Sequence, residues 1–229
     1  MTGRSRTLFP PPSPEVFMQR GCPISGNSRR VRPMLTSGGK VRNVRMRLHH
    51  HSYEDYLAIE ESSAVRHEYL DGQILAMATS SARHTALSAA VLTALGRQLA
   101  GRCRIFTSDL RVRVPATGLA SYPDVAVVFG QIETDPASKD TIVNPSAIVE
   151  VLSPATADYD LGEKFEHYRK VPSLNAVLYV WQDRRQLEVR QRTAAESWQR
   201  NSAGPGASLP VPALGLAFDV DALYVSAGA

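Results

Sequence analysis

Two short apolar segments of this chain each contain one acidic residue where a buried strand normally has none. Residues 123–128 carry Asp124 near their start, and residues 147–152 carry Glu150 among isoleucine, valine and leucine. An unpaired carboxylate that leaves water loses so much hydration that it needs a cation, a proton or a hydrogen-bond network. The two segments therefore predict buried strands with a compensating group, and together they suggest a metal ion.

Length and composition favour one folded domain without a membrane segment. The chain has 229 residues, of which 43% are apolar, enough for a single hydrophobic core. Its longest apolar stretch with helical spacing, residues 86–99, is interrupted by polar residues and falls short of the roughly 20 that a bilayer crossing needs. Two cysteines, Cys22 and Cys103, offer neither a disulfide framework nor a cysteine metal site. We expect a soluble, cytoplasmic protein with no membrane partner.

The positive charge is concentrated at the start of the chain. Residues 1–47 contain ten basic residues and one acidic residue, whereas the rest contains sixteen basic and twenty-one acidic residues, a formal charge of about −5. The first 47 residues are rich in Pro, Ser, Gly and Arg without an apolar period, which predicts a disordered basic extension. A nucleic-acid-binding arm, a transit sequence and an incidental extension remain open for it. The folded domain, residues 48–229, needs a local patch or cations to bind nucleic acid.

The residue patterns of this domain predict helices and strands in an order typical of a mixed sheet. Ser52 caps a helix that ends near residue 62, and Asp71-Gly72 joins two short strands in a hairpin. The elements that follow are a helix at about 82–100, strands at about 103–107, 109–114, 124–129 and 146–152, a helix at about 158–170, and strands near 176–181 and 186–192. This order predicts an α/β (α+β) fold with a mixed β-sheet flanked by helices. The Pro-rich segment after the last predicted strand is expected to be irregular in structure.

Lys164 lies on the apolar stripe of the helix predicted at 158–170. At 100° per residue it falls within the arc of the core-facing residues Leu161, Phe165 and Tyr168. Lysine is rarely buried without a partner, so we expect its ammonium to point at the sheet that carries the two acids.

Four other polar residues receive less specific interpretations. Asp160 is expected to be an ordinary acid near the start of the same helix, where the helix dipole favours negative charge. Arg111 and Arg113 are predicted to alternate outward on their strand, where a phosphate contact and a solvated charge are both open. His84, one turn into the long helix, is predicted to be a core or surface histidine rather than a ligand.

Two carboxylates with a neighbouring carbonyl suit a hard divalent cation, Mg²⁺ or Mn²⁺. Such a cation lowers the pKa of a bound water and neutralises charge on a phosphate, while a nearby ammonium positions the water or stabilises the transition state. This is the chemistry of phosphodiester hydrolysis. The alternative is a buried salt-bridge cluster of Lys164, Glu150 and Asp124 without chemistry.

These residues also resemble a known superfamily. Pro123-Asp124, Glu150-Val151-Leu152 and Lys164 are similar to the motifs of the PD-(D/E)XK nuclease superfamily. Over about residues 52–225 the chain resembles the Uma family of restriction endonucleases. The motifs that carry this resemblance are His67-Glu68-Tyr69-Leu70-Asp71-Gly72, Ser108-Asp109-Leu110, Tyr122-Pro123-Asp124-Val125, and the segments 150–156 and 160–165.

The resemblance implies a restriction-endonuclease-like αβββαβ core, a divalent metal and nuclease activity. It implies that Asp124 and Glu150 are metal ligands, that the Val151 carbonyl completes the set, and that Lys164 is catalytic. Leu152 stands where the superfamily pattern has a lysine, and in the resembling family the helix lysine takes that place.

Two more acids match family positions and could add a carboxylate near the metal. For Glu68 the alternative is an ion pair with Arg66, and for Asp109 it is formation of a turn between two strands.

The leading hypothesis is therefore a Mg²⁺-dependent or Mn²⁺-dependent endonuclease that cuts DNA, as a homodimer if two sites cut two strands. The choice between DNA and RNA stays open. The alternative is a catalytically silent module that keeps the fold and binds nucleic acid or a partner protein. The acids and Lys164 favour the nuclease, because a module released from catalysis has little physical reason to keep buried charges.

Overall fold

The computed structural model of the protein describes residues 50–194 and 197–228. The extension predicted over residues 1–47 lies outside the described residues. No helix in the described ranges is long and apolar enough to cross a membrane.

The first helix begins where the sequence predicts it. In α1 (Tyr53–Ser62), the Ser52 side chain accepts a hydrogen bond from the Asp55 N–H, and the Asp55 carboxylate accepts one from the Ser52 N–H. This reciprocal pair satisfies two backbone donors that the first turn would otherwise leave free. The predicted cap is confirmed.

The predicted hairpin is also present. Strands β1 (His67–Leu70) and β2 (Gln73–Ala76) pair antiparallel across a two-residue turn. Asp71 and Gly72 in that turn have φ values of 46° and 79°. Two successive positive φ values match the twist of the flanking strands, and Asp-Gly supplies them at low cost.

The remaining elements follow in chain order. They are α2 (Ala82–Gln98), β3 (Cys103–Thr107), β4 (Arg111–Val114), β5 (Leu119–Ser121), β6 (Val125–Phe129), β7 (Thr134–Asp135), β8 (Ser138–Ile142), β9 (Ala147–Leu152), α3 (Ala157–Tyr159), a π-turn at Asp160–Lys164, α4 (Phe165–Tyr168), β10 (Ala176–Trp181), β11 (Leu187–Arg192), β12 (Trp198–Ala203), β13 (Ser208–Val211), a 3-10 turn at Pro212–Leu214, β14 (Leu216–Asp219) and α5 (Val220–Ser226).

The central sheet has the strand order β12-β11-β10-β9-β6-β3. Strands β9 and β10 are parallel and the other neighbours are antiparallel. The elements α2, β3, β6, β9, the helical segment 157–168 and β10 form the predicted αβββαβ core. A second sheet, in the order β2-β1-β5-β4-β8-β7, combines the hairpin with strands inserted on either side of β6.

Strands β9 and β10 are buried on both faces, which explains their continuous apolar sequences. On one face, Val149 and Val151 pack against α2 and α5. On the other face, Ile148 and Leu152 pack against Phe165 and other residues of the segment after β9. The core thus forms two layers that enclose the central sheet, and Glu150 belongs to the second of them by strand alternation.

Leu87→Ala is expected to lower the free energy of unfolding by about 2–5 kcal/mol, because Leu87 is fully buried between α2 and the sheet and its loss leaves a cavity. Val225→Ala, at a residue that is 65% exposed, is the control and should change it by less than about 0.5 kcal/mol. Urea unfolding of both variants measures the difference. Equal midpoints would contradict the core assignment.

The prediction for the last part of the chain is wrong. The remainder after residue 192 forms β12, β13, β14 and α5 rather than irregular structure. Polar β12 pairs along the edge of β11, and β13 alternates exposed and buried residues around Pro210, so neither has the apolar pattern of a central strand. The helix predicted at 158–170 is present over residues 157–168, and the π-turn within it is a local departure from regular α-helical winding.

Candidate active site

A cleft of about 720 Å³ opens where the hairpin, the start of α2 and the ends of β6 and β9 meet. Its titratable lining includes Glu68, His84, Asp124, Glu150, Tyr159 and Asp160. Val151 lines the cleft as well, so the three predicted metal ligands lie on one surface.

Asp124 immediately precedes β6 and faces the backbone of β9. Val125 pairs with Val149, and beyond that pair the Val151 N–H donates to Asp124 Oδ2 at 2.7 Å instead of to a strand partner. The N–H and C=O of one strand residue point to the same side. The Val151 carbonyl therefore also points toward the Asp124 side of β9, which is consistent with the Leu152 carbonyl accepting from Gln182 on the opposite side.

Glu150 is held through one of its two oxygens. Its Oε1 accepts a hydrogen bond from the Tyr168 hydroxyl at 2.7 Å and lies 3.1 Å from Lys164 Nζ. The contacts of the Glu150 carboxylate converge on Oε1, and those of the Asp124 carboxylate converge on Oδ2. Each acid is thus fixed in place and retains one oxygen for a ligand.

Lys164 is buried and surrounded by carboxylates. Its Nζ lies 2.8 Å from Glu68 Oε1, 3.1 Å from Glu150 Oε1 and 3.4 Å from Asp160 Oδ1. Three carboxylates therefore lie within 3.4 Å of the ammonium group and compensate its charge. The prediction that this side chain points at the sheet with the acids is confirmed by these contacts.

Asp160 and Glu68 differ from their simpler interpretations. Asp160 lies four residues before Lys164 on the same helical segment and contacts its ammonium, so it is a buried member of the cluster rather than an ordinary helix-start acid. The carboxylate of Glu68 pairs with Lys164 and not with Arg66, so the alternative for Glu68 is wrong.

The cluster contains more negative than positive charge. Four acids, Glu68, Asp124, Glu150 and Asp160, face one ammonium group and one imidazole. Burial raises the pKa of Glu150 to about 8, helped by the charges of the neighbouring acids. Burial acts against the Lys164 ammonium, but the surrounding acids outweigh it and raise its pKa well above the usual value. A further cation in the cleft would relieve this imbalance.

The raised pKa of Glu150 predicts how stability changes with pH in the metal-free protein. Because the folded-state pKa exceeds the unfolded value, Glu150 contributes stability below pH 4.5 that is lost as pH rises toward about 8. The melting temperature in EDTA should fall between pH 5 and pH 9. Glu150→Gln, which cannot ionise, should show a flatter profile, and superimposable profiles would contradict the assignment.

The available donors fit a hard cation. No group of three or more His, Cys, Asp or Glu side chains in the described parts of the chain has a geometry that holds a metal. Two carboxylate oxygens and one backbone carbonyl are present, however, and Mg²⁺ usually binds one or two carboxylates and keeps several waters. The donor types therefore suit Mg²⁺ or Mn²⁺.

Comparison with known proteins identifies the family. The model of the Uma2 family, described as "Putative restriction endonuclease", matches residues 53–222. The chain belongs to the Uma2 family. This confirms the resemblance inferred from the sequence motifs.

Two uncharacterized proteins of Synechocystis sp. (strain ATCC 27184 / PCC 6803 / Kazusa) are similar to this Uma2 chain. The protein slr1290 is 34% identical over 174 residues, which cover 76% of this chain and 90% of the relative. The protein sll1609 is 32% identical over 145 residues, which cover 63% and 82%.

A solved structure shares the fold. It is the crystal structure of "a putative nuclease belonging to DUF820" from Anabaena variabilis ATCC 29413, with a TM-score of 0.60 and 17% identity. The match covers 72% of this chain and 93% of that one. The predicted restriction-endonuclease-like fold is thereby confirmed.

His84 lies in the Uma2 cleft beside predicted metal ligands, which sequence reasoning did not foresee. His84 Nε2 lies 3.3 Å from Asp124 Oδ2, and the ring also contacts the Val151 backbone. Burial opposes its charge, but these contacts outweigh it and raise the pKa of His84. The ring thus faces two predicted ligands, a position that the sequence did not predict. Helix periodicity alone could not reveal this, because it does not say which strand ends lie opposite.

Asp109 lies outside the buried cluster. It is exposed and pairs with Arg66, which lines the cleft, and it accepts a hydrogen bond from the Thr107 hydroxyl at 3.1 Å. A turn from Thr107 to Leu110 surrounds it, as the turn alternative predicts.

Arg111 and Arg113 do not point outward. The guanidinium of Arg111 is buried near the rings of Tyr56 and Tyr122, and that of Arg113 pairs with Asp135 at 2.7 Å. The prediction of outward-facing strand arginines is therefore wrong.

Proposed function

We propose that this protein is a metal-dependent endonuclease that hydrolyses phosphodiester bonds of DNA. The observation that carries the proposal is that Asp124, Glu150 and Val151 line one cleft, with a buried lysine beside Glu150. Membership of the Uma2 family, described as "Putative restriction endonuclease", and the fold shared with a protein titled "a putative nuclease" support this class of activity.

Asp124, Glu150 and Val151 are the residues that would hold Mg²⁺ or Mn²⁺. Such a cation, when bound, lowers the pKa of a water and neutralises charge on a phosphate. Lys164 lies next to Glu150, so its ammonium is placed to stabilise negative charge that develops on phosphate oxygens. Glu68 and Asp160 keep this ammonium charged and oriented through their contacts of 2.8 and 3.4 Å.

The charge of the domain bears on its substrate and partners. Residues 48–229 are formally acidic, so we expect DNA binding to depend on divalent cations and on local groups of the cleft such as Arg66. A homodimer would supply two sites for two strands. The low cysteine content suits the reducing cytoplasm.

The direct test incubates the purified full chain with plasmid and linear DNA, and in parallel with RNA. We expect cleavage of DNA with Mg²⁺ or Mn²⁺ and none in EDTA. Asp183→Asn, at an exposed acid paired with Arg184, is the surface control and should cut like the wild type. Wild-type cleavage that is unchanged in EDTA would contradict the metal requirement.

A second candidate is a catalytically silent module that binds nucleic acid or a partner protein. The observation in its favour is that three carboxylates lie within 3.4 Å of the Lys164 ammonium, so the acids and the lysine compensate one another's charge. Oligonucleotide binding without cleavage, together with no Mn²⁺ binding by calorimetry, would support the module over the nuclease.

A further inference from the structure

The buried side chain of Tyr168 lies between the hydroxyl of Ser121 and the carboxylate of Glu150. Its side chain is fully buried, its hydroxyl donates to Glu150 Oε1 at 2.7 Å, and Ser121 Oγ lies 2.9 Å from the same hydroxyl. The Tyr168 hydroxyl has a single proton, which it donates to Glu150, so the Ser121 hydroxyl donates to the Tyr168 oxygen. This forms a directed chain from β5 through α4 to β9.

These hydrogen bonds distinguish the two oxygens of the Glu150 carboxylate. The Tyr168 hydroxyl and Lys164 Nζ both contact Oε1, and they come from positions four residues apart on the same helical segment. With Oε1 occupied twice, the carboxylate is held in one orientation and Oε2 is left for a ligand. Without the Tyr168 hydroxyl, Lys164 would be the only polar contact of the Glu150 carboxylate among the described residues, and the carboxylate could rotate.

We infer that Tyr168, anchored by Ser121, is a positioning residue that orients Glu150 for metal binding. The inference rests on the proposed metal-dependent function, since it gives the oriented Oε2 a cation to bind. Groups that hydrogen-bond to metal-ligating carboxylates typically change metal affinity or activity by 10–100-fold when they are removed. Tyr168 itself contacts no substrate in this role.

Tyr224 offers a matched control. It is also fully buried, and its hydroxyl bonds to the backbone carbonyls of Trp181 and Gln186 at 2.5 and 2.9 Å, with no carboxylate involved. Tyr168→Phe and Tyr224→Phe each remove one buried hydroxyl. Both should lower the melting temperature in EDTA, so a difference between them in metal binding reports positioning rather than general loss of stability.

The test measures Mn²⁺ affinity by calorimetry and DNA cleavage against Mn²⁺ concentration on the full chain. For Tyr168→Phe we expect roughly 10- to 100-fold weaker Mn²⁺ binding, the same shift in half-activating Mn²⁺, and recovery of most of the rate at saturation. Ser121→Ala should shift both in the same direction by less. Tyr224→Phe should match the wild type within about twofold, well below the expected tenfold shift.

The outcomes separate this inference from the proposed function. If the wild type binds Mn²⁺ and cuts DNA while Tyr168→Phe does both with unchanged Mn²⁺ dependence, the positioning role is overturned and the nuclease stands. If the wild type neither binds Mn²⁺ nor cuts, the metal-dependent function fails and this inference fails with it. In the Glu150→Gln background, Tyr168→Phe should cause no additional loss of affinity, because the two act through one group.

Discussion

Asp124→Asn and Glu150→Gln are each expected to reduce DNA cleavage by about a thousandfold or more. Both substitutions remove a charged ligand oxygen, and a metal ion contributes several kcal/mol to stabilising the transition state. The folds should survive, because an asparagine can still accept from the Val151 N–H and a glutamine from the Tyr168 hydroxyl. Plasmid cleavage at saturating Mg²⁺ measures the rate, and calorimetry with Mn²⁺ measures the binding that should weaken in parallel.

The interpretation of this experiment depends on the surface control. Asp183→Asn carries the same chemical change at an exposed acid and should leave both rate and affinity unchanged. Cleavage at wild-type rates in both site variants would show that Asp124 and Glu150 are not the metal ligands. Melting temperatures near that of the wild type are needed to exclude unfolding as the cause of a loss.

Lys164→Met is expected to lower the free energy of unfolding in EDTA by about 3–5 kcal/mol. The substitution leaves Glu68, Glu150 and Asp160 buried without their shared cation, and removal of one partner of a buried ion pair costs about this much. Mg²⁺ should restore part of the stability, because a ligand that binds only the folded state stabilises it by mass action. Cleavage should remain far below that of the wild type even with Mg²⁺, because the ammonium is absent.

Lys170→Met supplies the matched control for this variant. Lys170 lies six residues later, is exposed, and is expected to tolerate the same substitution with little change in melting temperature. An equal destabilisation of Lys164→Met with and without Mg²⁺ would point to a salt-bridge cluster that has no use for a metal. Thermal unfolding of both variants in EDTA and in Mg²⁺ separates these cases.

Local sequence rules were sufficient for the elements that carry strong local signals. Ser52 with Asp55 begins α1, Asp71-Gly72 closes the hairpin, and the apolar run 147–152 forms β9, because capping, turn conformation and burial each depend on residues close together in the chain. Strand β12 was not predicted, since an edge strand is half exposed and depends on β11 for its hydrogen bonds.

In the candidate site, too, local patterns identified some residues, and only the contacts between distant elements identified the others. An acid inside an apolar strand and a lysine on an apolar stripe violate local patterns, so Asp124, Glu150 and Lys164 could be selected from the sequence. His84 violates no pattern, and neither does Asp160 or Tyr168. Their proximity to the predicted ligands became visible only when the contacts between distant residues were known.

The sequence by itself determined the order of the core elements, the family, and three residues whose charge conflicts with burial. The tertiary structure decided which groups compensate those charges. It did so because sheet register places Val151 against Asp124, and the packing of the helical segment after β9 brings Asp160 and Lys164 beside Glu150. Compensation of a buried charge requires atoms within about 3–4 Å, and distances of that kind are set by packing between elements far apart in the chain.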